Sequence, residues 1–108
     1  MRPIHLAELP TPDQIRPVLV LTREAVRRHR TKVTVAPITS RVRGLATEVM
    51  VGPLNGLDHE SVVSCDNILT IDAVALGSQI GSLLPDQETE LAVAIIEAFD
   101  LTSDLVGY

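Results

Sequence analysis

Short runs of aliphatic and β-branched residues recur along the first 83 positions and predict a series of β-strands. Ile4–Leu9 alternates weakly between apolar and polar residues, as a strand with one buried face does. Val18–Leu21 is apolar at every position, which predicts a central strand buried on both faces. The remaining predicted strands are Val33–Ile38, Leu45–Val51, a long bent strand over Ser61–Ile71, and Gly77–Leu83 as a short strand or a tight connector.

The apolar period becomes helical near the C-terminus. Pro85 suits the first helical position, and a stripe of apolar residues with helical spacing then extends to Phe99. Its members are Leu91, Ala94, Ile95, Ala98 and Phe99. Several short strands followed by one amphipathic helix, without βαβ alternation, predict a mainly β fold. We expect a small antiparallel barrel packed by a C-terminal α-helix.

Three connections have distinct compositions. Pro10, Pro12 and Asp13 predict a turn after the first strand. Arg23–Arg30 is strongly basic and predicts either one or two helical turns or a basic loop. Pro53–Gly56 contains strong turn formers and predicts a loop.

Length and cysteine content narrow the class of protein. The 108 residues, 45% of them hydrophobic, predict one globular domain over residues 1–108 with an ordinary core. Cys65 is the single cysteine, so no internal disulfide is possible, which is typical of a reducing compartment. The sequence shows neither an apolar stretch of membrane-spanning length nor a secretory signal. We therefore expect a cytoplasmic protein.

The net charge of −5 conceals a segregated distribution. All nine basic side chains lie within residues 1–43, which carry a net charge of +6, whereas residues 44–108 carry −11. This segregation predicts a basic face and an acidic face, although the run around Arg27–Arg30 is equally compatible with solvated surface charge. Phe99 and Tyr108 are the only aromatic residues, so RNA would be bound through phosphates and hydrogen bonds rather than by base stacking.

The residues alone give weak signals for chemistry. The histidines are isolated, no cysteine or histidine spacing typical of a metal site occurs, and Cys65 is expected to be a buried, inert thiol. Arg16 precedes a proline at a strand start, where a guanidinium could hold a phosphate bidentately. Thr39 and Ser40 end the third strand. On spacing alone, an ordinary edge arginine and ordinary turn formers explain these three residues better than a catalytic site does.

An ordered series of short segments resembles the MazF/PemK family of toxin endoribonucleases. It runs from RPVLVL at Arg16 through VTVAPITS, which ends at Ser40, to LGSQIGSL before the final helix. Between them lie the Gly56-Leu57 turn, SVVSCDN ending at Asn67, and LTID ending at Asp72. The resemblance implies an SH3-like barrel, shared with CcdB-type toxins, and a homodimer. It also implies a type II toxin–antitoxin toxin that cleaves single-stranded RNA without a metal or other cofactor.

The resemblance also implies roles for individual residues. Arg16 and Thr39 match the family's catalytic arginine and threonine, which act while the RNA's 2′-hydroxyl attacks the adjacent phosphate. The products would carry a 2′,3′-cyclic phosphate and a 5′-hydroxyl. The residues implied to bind RNA are Ser40, Asp66 and Asn67 near the groove, with Arg23, Arg41 and Arg43 supplying positive potential.

The family further implies a MazE-like antitoxin whose acidic, partly disordered tail competes with RNA for the groove. Two features depart from most relatives: His5 stands in a first strand that usually carries an aromatic residue, and the loop over Pro10–Ile15 is short. The alternative from another functional class is a non-catalytic, CcdB-like toxin or interaction module with the same fold.

Overall fold

Seven antiparallel strands form one curled sheet in the computed structural model, which describes residues 1–10 and 14–101. The strands are β1 (Pro3–Glu8), β2 (Ile15–Val20), β3 (Lys32–Thr39), β4 (Glu48–Val51), β5 (Ser61–Ser64), β6 (Leu69–Asp72) and β7 (Leu76–Ser82). The helices are α1 (Glu24–Arg27) and α2 (Gln87–Ala98), with 3-10 turns at Pro53–Asn55, Cys65–Asn67 and Ala73–Ala75. The turn predicted at Pro12 and Asp13 lies outside the described residues.

The centre of the sheet is β2 and β3, as the continuous apolar pattern predicts. The strand order is β4-β5-β3-β2-β1-β7, and β6 pairs with β3 beside β5. Val18, Leu19 and Val20 are all fully buried. Leu19 packs into the core that also contains residues of α2, whereas Val18 and Val20 pack into a second cluster with Val33, Val35 and Ile71. The prediction of a central strand buried on both faces is therefore confirmed.

The single long strand predicted over Ser61–Ile71 is wrong. Strands β5 and β6 both lie along the same side of β3, but the register shifts by three residues between them. The shift arises because Cys65–Asn67 leaves the ladder as a 3-10 turn. Cys65 is nevertheless buried in the core, so the apolar pattern continues through the turn and conceals the break.

Two other boundaries also differ from the predictions. Strand β4 begins at Glu48 rather than Leu45, because residues 45–47 form a turn closed by a 3.1 Å hydrogen bond from Glu48 N to Leu45 O. Gly77–Leu83, predicted as a strand or a connector, lies largely within strand β7. The basic connection Arg23–Arg30 contains the single helical turn α1.

The 3-10 turn at Pro53–Asn55 joins the two edges of the curled sheet. Asn55 is buried, and its Nδ2 donates hydrogen bonds to Ser82 O at 3.0 Å and Gln87 Oε1 at 2.7 Å. Gly56 has φ +90°, and a Cβ at this position or at Gly81 would penetrate the opposite backbone. This close approach links the turn after β4 to β7 and shapes the partial barrel.

Helix α2 covers one end of the core. Leu91 and Ala94 are buried as predicted, but Phe99 follows the helix and is 56% exposed, so its place in the buried stripe is wrong. The helix begins at Gln87 rather than Pro85, and Gln87 Oε1 accepts the Leu84 amide at 2.8 Å. Within residues 1–10 and 14–101 no helix has the length and apolarity needed to cross a membrane.

Candidate active site

The two candidate catalytic residues lie at the point where β2 and β3 separate. Val18 pairs with Pro37 across these strands, and continuing that register by two residues places Arg16 opposite Thr39. Pro17 and Pro37 lack an amide hydrogen, so the ladder ends here and Thr39 pairs instead with β5 on its other side. The prolines thus leave Arg16 and Thr39 unpaired with each other at one end of these two central strands.

The polar groups of Arg16 and Thr39 remain available to a ligand. Arg16 Nε donates a short hydrogen bond to Gln14 Oε1, and its terminal nitrogens have no hydrogen-bond partner among the described residues. Thr39 Oγ1 accepts the Arg41 amide at 3.1 Å, which leaves the hydroxyl hydrogen free to donate. A guanidinium fork and a hydroxyl donor can therefore bind one phosphate from two sides.

A groove runs past this pair as two adjoining cavities, each of which Arg16 and Thr39 help to line. The first cavity, of about 400 Å³, is largely apolar, with Leu6, Ile38 and Ile80 in its walls. Ser40, His59 and Asp58 supply polar groups to it. This cavity contains Ser40, as predicted, and the two unpredicted residues Asp58 and His59.

The second cavity, of about 360 Å³, contains most of the predicted RNA-binding residues. They are Arg41, Arg43, Asp66 and Asn67. Asp66 Oδ2 accepts a 2.6 Å hydrogen bond from the Thr47 hydroxyl, and Asn67 Nδ2 donates to Ser64 Oγ at 2.8 Å. The 3-10 turn between β5 and β6 places Asp66 and Asn67 in this cavity.

Glu48 organises the wall that carries Arg41 and Arg43. Its Oε1 accepts three backbone amides, from Arg43 at 3.1 Å, Gly44 at 2.9 Å and Leu45 at 3.1 Å. Gly44 has φ +74°, a conformation that glycine adopts without strain. The carboxylate thus holds the loop before β4 in one conformation, and it also places a negative charge in a cavity with three arginines.

Arg23 lies apart from the other predicted site residues. It follows β2, whereas Arg16 is near the beginning of the same strand. Arg23 lines a separate depression of about 220 Å³ with Thr22, Arg27 and Glu88, and it lines neither cavity of the groove. The fold therefore assembles seven of the eight predicted residues in one groove and positions the eighth elsewhere.

Sequence reasoning missed Gln14, Glu48 and His59. Gln14 and Glu48 form hydrogen bonds with residues two to five positions away, and no spacing pattern in the sequence indicates such bonds. Asp58, His59 and Glu60 are exposed, and the turn that carries them borders the first cavity. Its position follows from the close packing of Gly56 against β7, which a single sequence does not reveal.

Cys65 is the sequence neighbour of Ser64 and Asp66, which line the second cavity, but its thiol is not a candidate catalytic group. The thiol is buried in the core, and burial, with a smaller contribution from the Asp66 carboxylate, raises the pKa of Cys65 to about 11. A protonated, buried thiol is a poor nucleophile. In the described part of the chain, no cluster of three or more histidine, cysteine or acidic side chains is arranged to hold a metal ion.

Comparison with known proteins assigns the chain to a family. Residues 4–99 match the family described as PemK-like, MazF-like toxin of type II toxin-antitoxin system. Endoribonuclease MazF3 of Mycobacterium tuberculosis is 64% identical over 101 residues, covering 94% of this chain and 95% of that protein. Probable endoribonuclease MazF5 of the same species is 31% identical over 79% of each chain.

Solved structures agree with the sequence comparison. The Mycobacterium tuberculosis toxin MazF-mt6 superposes with a TM-score of 0.89 at 63% identity, covering 94% of this chain and 99% of that one. An endoribonuclease in complex with its cognate antitoxin, from a mycobacterial species, superposes with a TM-score of 0.80 at 26% identity over 93% of each chain. The chain therefore belongs to the family of PemK-like, MazF-like toxins of type II toxin–antitoxin systems.

Proposed function

We propose that this toxin is an endoribonuclease whose catalytic pair is Arg16 and Thr39. The observation that carries the proposal is their placement opposite each other across the open end of β2 and β3, with uncommitted hydrogen-bond donors on both. The endoribonuclease names of relatives at 64% and 31% identity support the same activity. They favour catalysis over the alternative of a non-catalytic, CcdB-like toxin.

The reaction is cleavage of single-stranded RNA by its own 2′-hydroxyl. Attack on the adjacent phosphorus forms a pentacoordinate phosphorane, and the 5′-oxygen then departs, takes a proton from water to become a 5′-hydroxyl, and leaves a 2′,3′-cyclic phosphate. Arg16 stabilises the additional negative charge through its terminal nitrogens, while Thr39 donates its hydroxyl hydrogen to a non-bridging oxygen. No step requires a metal ion or an organic cofactor.

Proton transfer is assigned to the turn that borders the first cavity. In the second cavity, the carboxylates of Glu48 and Asp66 accept hydrogen bonds from the protein itself. Asp58 and His59 make no side-chain hydrogen bond to another described residue, and they line the cavity that Arg16 and Thr39 share. An imidazole nitrogen can accept the 2′-hydroxyl proton, so His59 is the proposed base.

Sequence selection is proposed for the second cavity. Among the described residues, one carboxylate oxygen of Asp66 and the amide oxygen of Asn67 have no hydrogen-bond partner, and both can accept hydrogen bonds from base amino or imino groups. Arg41, Arg43 and Ser40 contact the RNA backbone on either side of the scissile phosphate. Arg23 lies beyond the end of β2 and outside this groove, and its proposed contact with RNA is a separate one.

The remaining assignments concern assembly and location. We propose a single toxin domain, a homodimer that covers exposed apolar residues such as Val93 and Phe99, and action in the cytoplasm, where RNA is accessible. The inhibitor is a MazE-like antitoxin whose acidic tail competes with RNA for Arg41 and Arg43. The cognate-antitoxin complex of the 26% identical relative supports this partner.

The test uses purified toxin and a long single-stranded RNA in excess EDTA. We expect discrete fragments whose 3′ ends resist a phosphatase until acid opens the cyclic phosphate, and whose 5′ ends accept phosphate from a kinase directly. Intact RNA would contradict the activity, whereas fragments with 5′-phosphates would contradict the 2′-hydroxyl mechanism. Arg16→Ala protein, purified in parallel, controls for a contaminating nuclease.

A further inference from the structure

A cluster of cations around α1 lies outside the groove. Within residues 23–32 it comprises Arg23, Arg27, Arg28, His29, Arg30 and Lys32, and we refer to these residues as the α1 patch. Five of them, Arg23, Arg28, His29, Arg30 and Lys32, are exposed, and Glu24 is the single acidic residue in the segment. The α1 patch therefore presents one sign of charge over a short, solvent-facing segment.

Most of this charge is not neutralised by the protein. Lys32 pairs with Asp72 at 2.7 Å, but none of the four arginines forms an ion pair with a described residue. Glu88, which borders the same depression, is already paired with Arg2 at 2.8 Å. Arg27 Nε is buried without a hydrogen-bond partner in the described structure, so no internal acceptor fixes its guanidinium. Like charges this close repel one another, and an anionic partner would relieve that repulsion.

The α1 patch and the groove lie toward opposite ends of β2. Arg16 is near the start of the strand and Arg23 follows its end, so the extended backbone from Arg16 to Val20 alone separates them by about 13 Å. An RNA that placed one phosphate at Arg16 and reached the α1 patch would extend several nucleotides beyond the scissile bond. The two sites would therefore bind different parts of one long substrate.

From this separation we infer that the α1 patch is a second RNA-binding surface, which holds the phosphate backbone of RNA flanking the cleavage site. The inference rests on the proposed endoribonuclease function and extends it. Arginine side chains bind phosphate bidentately, and no phenylalanine, tyrosine or tryptophan lies within residues 23–32 to stack a base. Binding at this surface would therefore be strongly salt-dependent and independent of sequence.

The chemistry of the α1 patch favours RNA over an acidic protein segment. Protein partners bury apolar anchors at the centre of an interface. None of the large hydrophobic residues that are exposed in the described structure lies between residues 23 and 32. A polyphosphate needs no such anchor, because its charge alone supplies the attraction.

The experiment compares two substrates of the full-length toxin. One is a short oligonucleotide that contains just the cleavage site, mapped beforehand with the wild-type protein. The other is the same site with a long single-stranded flank. The test variant replaces Arg27, Arg28 and Arg30 by glutamine; Lys32→Gln is the control at a cation already paired with Asp72, and Glu24→Gln removes one negative charge.

We expect the triple variant to cleave the short oligonucleotide at the wild-type kcat/KM and the flanked RNA more slowly. Three lost phosphate contacts lower the salt slope by about 2, so between 50 and 200 mM salt the wild type should lose roughly 20-fold more kcat/KM than the variant. Lys32→Gln should change the slope least, and Glu24→Gln should raise kcat/KM on the flanked RNA.

Equal kcat/KM values and salt slopes for wild type and triple variant on the flanked RNA would overturn the inference. So would an unchanged rate on RNA together with weakened binding of the antitoxin, since the α1 patch would then serve a protein partner. Failure of the wild type to cleave either substrate would instead refute the proposed function, so the two failures are distinguishable.

Discussion

Replacing Glu48 by alanine tests whether the ordering of the loop before β4 favours RNA cleavage more than the negative charge of Glu48 opposes it. One oxygen of this carboxylate accepts the amides of Arg43, Gly44 and Leu45 at 2.9–3.1 Å. The same carboxylate lines the second cavity, where it opposes the attraction of the arginines for RNA. Glu48→Ala therefore removes an ordering contact and a repulsive charge together, and these two effects have opposite signs.

Their magnitudes decide the outcome. A unit charge about 8 Å from a phosphate in water contributes about 0.5 kcal/mol, so its removal would strengthen RNA binding about twofold. Releasing three backbone residues, which RNA must then order, costs about 1 kcal/mol per residue. The net loss of about 2.5 kcal/mol corresponds to a decrease in kcat/KM of between tenfold and a hundredfold.

Glu48→Gln separates the two effects, because the amide oxygen can still accept the three hydrogen bonds while the charge is removed. We expect kcat/KM for Glu48→Gln to lie within a few-fold of wild type. Both variants should be measured by cleavage of one short RNA, with urea unfolding to show that each is folded under assay conditions. A Glu48→Ala protein as active as Glu48→Gln, or more active, would refute the reasoning.

Three further predictions follow from buried or groove-lining groups. Asn55→Ala should lower the free energy of unfolding by about 2–4 kcal/mol, measured by urea denaturation, because the buried Gly52 amide and the part-buried Ser82 carbonyl and Gln87 side chain lose their hydrogen bonds to Asn55; a loss below 0.5 kcal/mol would contradict this role. Because burial raises the pKa of Cys65 to about 11, the unfolded chain loses the thiol proton first. Stability should therefore fall as pH rises from about 9 to 11, by up to about 1.4 kcal/mol per pH unit. Cys65→Ala should lack this component, and identical alkaline profiles would show that the thiol does not titrate as described. His59→Gln should slow single-turnover cleavage by at least about 100-fold if His59 is the base, and an unchanged rate would exclude it.

The sequence predicts the sheet better than it predicts the turns. The apolar run Val18–Leu21 identifies a central strand because burial on both faces requires apolar residues at every position. The break at Cys65–Asn67 is invisible in the same pattern, since Cys65 remains in the core while the backbone leaves the ladder. Yet this break carries Asp66 and Asn67 into the groove, so the most informative irregularity is the one that hydrophobic periodicity conceals.

For the candidate site, too, the sequence predicts some features and does not reveal others. Arg16 and Thr39 are individually unspecific, and the resemblance to MazF/PemK toxins was needed to select them. Their placement opposite each other then follows from strand register and from two prolines that end the ladder. The resemblance groups Arg23 with the arginines that supply positive potential to the groove, but the length of β2 separates it from Arg16. Charge composition predicts the number of cations and not where the chain carries each one.

The central claim is that Arg16 and Thr39 act on one phosphate, and a double-mutant cycle of single-turnover cleavage rates tests it most directly. Arg16→Ala and Thr39→Val should each lower the rate about 100- to 1,000-fold, and the double variant should lose much less than the product of the two factors. Arg41→Ala is the control, because it keeps the backbone amide that Thr39 Oγ1 accepts. Near wild-type rates for either single variant, or fully multiplicative losses in the double variant, would contradict the account.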